Sequence, residues 1–253
     1  MISLKTQNWT IENINTVLLD KDGTFIDLHY FWGKMTEMRA EEIIKHYQAP
    51  SEQFSNICKF LGYDITNKKM HKDGITALYS RPKIINLLNK SLHTDLNINS
   101  TEQELEYIFD KVSLEFYKDI KDYTKPINEA IEFIKQLHSK NIELGIVTSD
   151  SIESTQITLK QFGWENLFKV VIGRESSTEP KESGVPTKLA LNKLKATPET
   201  TVMIGDAPMD SISAQNANIK KTILVSTGQI DIDELKNHSQ YTVNNLKEIE
   251  IIL

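Results

Sequence analysis

The sequence predicts an α/β fold, a core built on a mostly parallel sheet with an all-helical insert near its start. Three observations predict it. The apolar run Thr16-Val17-Leu18-Leu19 leads straight into Asp20-Lys21-Asp22-Gly23-Thr24, as a buried strand leads into a turn. From Pro126 onward, strand-length apolar runs alternate with helical patterns, which implies βαβ units with right-handed crossovers. Between about Tyr30 and Lys121 nothing reads as a strand.

The elements follow in order. Met1 to Asn15 reads as a polar leader. After the first strand, Trp32, Met35, Met38 and Ile43-Ile44 suggest a helix ending near Ala49-Pro50. Phe54, Ile57, Cys58 and Leu61 keep i, i+3, i+4, i+7 spacing, with Gly62 placed to end the helix. Tyr63 to Tyr79 has poor periodicity and reads as a loop. Ser80 can cap a helix carrying Ile84, Ile85, Leu87 and Leu88, and Thr101 with Glu104 forms a capping-box pattern before the Leu105 to Phe116 stripe. Pro126 then opens a helix, and strands are expected at 143–147, 169–172, 201–204, 222–225 and near 241–243, with helices between them. The expected division is a core of residues 1–29 and 122–253 and a helical domain of residues 30–121.

Composition narrows the functional classes. Of 253 residues, 39% are hydrophobic and 25% charged, which suits a protein with a sizeable core. A net charge of -6 gives no general reason to bind nucleic acid, and no apolar run is long enough to span a membrane. The single cysteine, Cys58, lies on an apolar helical face and fits a buried thiol in a reducing compartment. With no signal-peptide core at the start, a cytoplasmic location is expected.

Polar clusters fall at the carboxyl ends of three expected strands: Asp20 and Asp22, Thr148 and Ser149, and Asp206 with Asp210. Ligands of open parallel sheets bind at that edge. Two carboxylates one residue apart repel unless a cation or a shared proton relieves them, and oxygen-only ligands suit Mg²⁺. Singly, each residue has an ordinary explanation: Thr148 as a helix cap, Asp206 and Asp210 as turn residues, the lysines as solvated charges. Their convergence at one sheet edge is the signal.

With these residues in place, the chain resembles the haloacid dehalogenase superfamily of hydrolases. Asp20-Lys21-Asp22-Gly23-Thr24 is similar to its first motif, Thr148 after an apolar strand to its second, Lys181 to its third, and Gly205-Asp206 with Asp210 to its fourth. The insert resembles the family's α-helical cap, and phosphoglycolate-phosphatase-like enzymes are the most similar subgroup. The resemblance implies a Rossmann-like core and a Mg²⁺-dependent phosphatase acting on a small phosphorylated metabolite. Asp20 would be the nucleophile that forms an aspartyl-phosphate. Asp20, the backbone carbonyl of Asp22 and Asp206 would hold the metal, with Asp210 completing or bracing that shell. Asp22 would act as acid and base, and Thr148 and Lys181 would contact the phosphate.

Asp22 also bears on the reaction, since the family's dehalogenases lack an acid there. A phosphomutase on the same core, or a non-catalytic phosphate-binding protein, are the alternatives. The third motif departs from the family's usual Lys-Pro-x-Pro. Its order here is Pro180-Lys181-Glu182-Ser183-Gly184; Lys181 keeps the expected spacing to Ala190-Leu191, and Lys188 is the fallback. Lys21 stands where the family often has an apolar residue and is expected to matter little to the chemistry. For substrate binding beyond the phosphate, Ser149 joins Thr148. Arg81 in the basic stretch Lys68 to Lys90 is the candidate for an anionic leaving group, with His29 and Trp32 as further pocket candidates. Either a monomer or a homodimer is compatible with the sequence.

Overall fold

The computed structural model describes residues 1–253. The chain begins with β1 (Ile2–Lys5), β2 (Thr10–Ile14) and β3 (Thr16–Leu19). It continues through α1 (Leu28–Tyr47), α2 (Gln53–Phe60), β4 (Tyr63–Asp64), β5 (Lys69–Met70), α3 (Ile75–Leu78), α4 (Arg81–Thr94), α5 (Glu102–Lys118) and α6 (Ile120–Tyr123). Next come α7 (Asn128–Ser139), β6 (Glu143–Val147), α8 (Ile152–Phe162), β7 (Val170–Ile172), α9 (Val185–Leu194), β8 (Thr201–Gly205), α10 (Pro208–Asn216) and β9 (Thr222–Val225). The chain closes with α11 (Ile232–Leu235), β10 (Tyr241–Val243) and β11 (Glu250–Ile252). No helix is long and apolar enough to cross a membrane.

Two compact units result: Met1–Asp27 with Lys125–Leu253, and Leu28–Thr124. The sequence-based division lay at 29/30 and 121/122; in the structure α1 already begins at Leu28, and α6 stays with the insert.

In the first unit, six parallel strands run in the order β10-β9-β8-β3-β6-β7. All four residues of β3 are buried, because it is the inner strand between β8 and β6. Leu19 stands opposite Ile146 on one side and Ile204 on the other, so three strand ends lie side by side. Leu18, Val147, Ile172, Met203, Ala190 and Ala214 are buried in one apolar cluster behind that edge. Helix boundaries follow local chemistry. Ser151 accepts the Ser154 amide at 3.0 Å to start α8, and Gly163, in the left-handed region, ends it.

A second sheet, β11-β1-β2, is antiparallel and was not expected. The polar leader in fact hides Ile2, Leu4, Ile11 and Ile14, all buried, at positions that alternate only over very short spans.

The insert is helical except for one small hairpin, β4–β5, with Tyr63 opposite Met70. The expectation of an all-helical insert is therefore corrected. Its two-residue strands are too short for a period of two to register in sequence. The Thr101–Glu104 capping box forms as expected. Phe31 packs edge-on against Phe116, their centroids 5.0 Å apart, and Arg39, nine-tenths buried, lies 4.2 Å over the Phe109 ring.

Candidate active site

The first carboxylate is set by the sheet itself. The Asp20 amide continues the β3–β8 pairing by donating to the Ile204 carbonyl at 2.9 Å, which fixes Asp20 at the sheet edge. Its side chain is almost wholly buried. Burial pushes its pKa up to about 6, Lys181 opposes the rise, and Asp210 adds to it.

Lys181 lies in a short turn between β7 and α9. Its Nζ is 2.6 Å from Asp20 Oδ1 and 2.6 Å from Asp210 Oδ1. Burial works against this ammonium, yet the two carboxylates outweigh it and raise its pKa. Lys188, the alternative in the sequence, is exposed on α9. Lys181→Ala is therefore expected to impair phosphate handling far more than Lys188→Ala, which steady-state kinetics of the two variants would check. A dead Lys188 variant would reverse the assignment.

Asp206 follows β8 and is buried, and its pKa is raised well above the ordinary carboxylate range by burial, then by Asp20 and Asp210. The backbone closes around it. A Cβ on Gly23, whose φ is +89°, would come within 2.3 Å of the Asp206 carboxylate. A Cβ on Gly228 would collide with the same group. Asp210, in the first turn of α10, accepts the Ala207 amide at 3.1 Å and braces Lys181.

Thr148 is buried at the end of β6, and its Oγ1 accepts the Asp150 amide at 3.1 Å. Ser149 is exposed, with its hydroxyl 3.5 Å from Met209 Sδ.

Lys21 has buried partners that the sequence did not lead us to expect. The chain leaves strand geometry after Leu19, and the Lys21 carbonyl gathers the amides of Phe25 and Ile26 at 3.1 Å each. In that tight loop the Lys21 side chain is fully buried, with Nζ 2.6 Å from Asp22 Oδ1 and 3.0 Å from Asp150 Oδ2. Asp22 is pushed up to about 6 by burial, with Lys21 opposing and Asp150 reinforcing. Asp150 was missed in the sequence. The available signal was a lysine in a usually apolar position and an aspartate two residues beyond Thr148, two buried charges each needing a partner.

The remaining candidates lie in the insert. His29 Nδ1 accepts the Met70 amide at 3.1 Å, which leaves the ring proton on Nε2. Trp32, beside it on α1, is half-buried against Phe31. Arg81 lies 2.6 Å from Asp110 and 2.9 Å from Glu106, both on α5. Two acids of its own unit already meet its charge, so a substrate anion would have to displace them. That weakens the sequence-based assignment of Arg81 to leaving-group recognition.

The donor set fits Mg²⁺. Among the side chains, no cluster of three or more His, Cys, Asp or Glu residues forms a complete metal cage. Asp210 is turned toward Lys181 and the Ala207 amide. That leaves Asp20 and Asp206, two buried carboxylates whose ionised forms burial disfavours and a cation would favour. Mg²⁺ is commonly bound by one or two carboxylates, with waters and substrate phosphate completing the set.

A pH dependence follows. Asp20 and Asp22 titrate near 6 in the fold against 3.8 ordinarily, so between those values the folded chain holds more protons than the unfolded one. Their contribution to stability without metal therefore falls as pH rises through that window and levels off above it. A Mg²⁺ ion held by Asp20 would compete with the proton on that side chain, not with the one on Asp22. Its thermal stabilisation is expected to be small below about pH 5 and full above about pH 7. Melting curves with and without MgCl₂ across that range would check this, and a pH-independent shift would contradict it.

Carboxylates and a lysine are thus gathered at adjacent strand ends of a parallel sheet. The chain belongs to the haloacid dehalogenase-like hydrolase family, which it matches over residues 17–225. Pyrophosphatase PpaX of Oceanobacillus iheyensis is 26% identical over 244 residues, spanning 95% of this chain and 97% of that protein. PpaX of Listeria welshimeri is 27% identical over 206 residues, covering 81% and 80%. Among solved structures, a predicted phosphoglycolate phosphatase from Haemophilus somnus superposes with a TM-score of 0.71 at 16% identity, covering 94% of this chain and 97% of that one. A subfamily IA hydrolase of the same superfamily from Geobacter sulfurreducens gives 0.63 at 15%, covering 93% and 94%.

Proposed function

We propose that the protein is a Mg²⁺-dependent phosphatase that hydrolyses a small phosphorylated metabolite through an aspartyl-phosphate on Asp20. The observation that carries this reading is the buried Asp20 with Lys181 at 2.6 Å, beside Asp206. Asp20, Asp206 and the backbone carbonyl of Asp22 would hold the ion. When bound, Mg²⁺ supplies positive charge that offsets the repulsion between a carboxylate and a phosphate.

The chain's own groups do the rest. Lys181 holds Asp20 in place and offers a second positive charge where phosphate oxygens gather. Thr148 contributes a hydroxyl to a phosphate oxygen. Asp22, with a pKa raised to about 6, can carry a proton to the leaving oxygen and take one from the water that later attacks the aspartyl-phosphate.

The reading is tested by phosphate release from a panel of phosphate esters and inorganic pyrophosphate, with Mg²⁺ and with chelator. The relatives named pyrophosphatase make pyrophosphate the first compound to try, ahead of phosphoglycolate, sugar phosphates and nucleotides. Metal-dependent turnover of any of them is expected. Chelator-resistant turnover would overturn the metal assignment, and transfer of the phosphoryl group to a second hydroxyl instead of water would make the protein a mutase.

A further inference from the structure

Lys21 is buried deeply enough that a charge there demands an explanation. Its side chain is fully inaccessible, whereas most lysines keep the ammonium in water. Replacing a buried ion pair with apolar groups of similar size is often neutral or stabilising, so packing alone gives no reason for an ammonium at this position.

The pairing has a direction. Asp150 is fixed at its own end: its Oδ1 accepts the Ser151 amide at 2.7 Å, and its backbone amide donates to Thr148 Oγ1 at 3.1 Å. Asp150 Oδ2 then holds Lys21 Nζ at 3.0 Å, and Nζ reaches Asp22 Oδ1 at 2.6 Å. The Lys21 carbonyl also organises the turn that carries Asp22. The carboxylate of Asp22 is thus tied through one ammonium to the same short segment that presents Thr148.

We propose that Lys21, anchored by Asp150, is a positioning residue that holds the Asp22 carboxyl where it can hand its proton to the leaving oxygen. The proposal rests on the phosphatase reading and deepens it. In the step concerned, a bond forms between an Asp20 carboxylate oxygen and phosphorus. The bond from phosphorus to the ester oxygen breaks, and the Asp22 proton moves to that departing oxygen. A leaving group that is stable as an anion needs no such proton, so it should not need Lys21 either.

The test compares two aryl phosphates of similar shape, phenyl phosphate with a poor leaving group and dinitrophenyl phosphate with a good one. The readout is kcat/KM, which covers binding and phosphoryl transfer but not the later hydrolysis of the aspartyl-phosphate. Lys21→Met is expected to lower kcat/KM for phenyl phosphate by roughly 10- to 100-fold, the size usual for losing a group that orients a reacting residue, with little change for dinitrophenyl phosphate.

Lys21→Met alone leaves Asp22 and Asp150 as uncompensated buried charges and should lower the melting temperature. The double variant Lys21→Met with Asp150→Asn removes one charge of each sign. It should regain much of that stability yet keep the selective loss on phenyl phosphate. Equal losses on both substrates, no loss on either, or recovery of phenyl phosphate turnover in the double variant would each assign the pair to stability alone and overturn the proposal. A wild-type protein inert toward both aryl phosphates and the whole metabolite panel would overturn the phosphatase reading itself, and the positioning role with it.

Discussion

Asp20→Asn is expected to abolish phosphate release while leaving the fold intact. The amide keeps the shape of the carboxyl group but cannot form the acyl phosphate. Stability should hold, because Asp20 carries a burial cost that Lys181 and the Lys21 backbone amide offset in part, and Lys181 keeps Asp210 as its partner in the variant. Two measurements check the result. The variant should show no turnover on the best substrate of the panel, and labelled phosphate should be absent from the denatured variant, whereas it is expected on quenched wild type. A variant retaining near-full rate would remove Asp20 from the role of nucleophile.

The second large effect belongs to Asp22→Asn. Turnover of an ester with a poor leaving group should fall by roughly 10²–10⁴-fold, the usual cost of losing general acid–base catalysis. Mg²⁺ binding measured by calorimetry should persist, since the backbone carbonyl at this position, not the side chain, is assigned to the ion. Loss of metal binding in this variant would mean that the carboxylate itself is a ligand. The substitution also takes an anion away from Lys21 and leaves that ammonium with Asp150. A modest fall in melting temperature should therefore accompany the kinetic loss.

Much of the core was legible because long parallel sheets write themselves into sequence. Strands buried on both faces read as apolar runs, as Thr16–Leu19 and Glu143–Val147 do, and the polar residues that follow them mark the sheet edge. Asp20, Thr148 and Asp206 were found this way. Lys181 needed the spacing to Ala190-Leu191 as well, since its turn has no periodicity of its own.

What escaped had physical reasons. β1 pairs with β11 across nearly the whole chain, Ser3 opposite Ile252, and no local pattern reports so distant a partner. The β4–β5 hairpin is too short to alternate visibly. The buried partners of Lys21 were not foreseen because strand alternation was carried past Leu19, the end of β3, where the backbone already turns. Arg81 drew attention as a lone guanidinium among lysines, whereas the acids that meet it, Glu106 and Asp110, lie on the next helix of the insert, 25 and 29 residues further along.

The inner position of β3 has a consequence for how the chain is made. Both of its neighbours come late: Thr16 faces Glu143 on one side and Thr201 on the other. The insert, by contrast, is one continuous segment, Leu28–Thr124, complete before β6 has been synthesised. During synthesis the insert can therefore close on itself while the four residues of β3, three of them apolar, wait with both edges unpaired. Such a strand invites pairing with other chains. Asp20, Lys21 and Asp22 follow it without a gap, and charges flanking an apolar strand discourage that pairing. The residues proposed to serve the chemistry thus also flank the unpaired strand until its partners arrive.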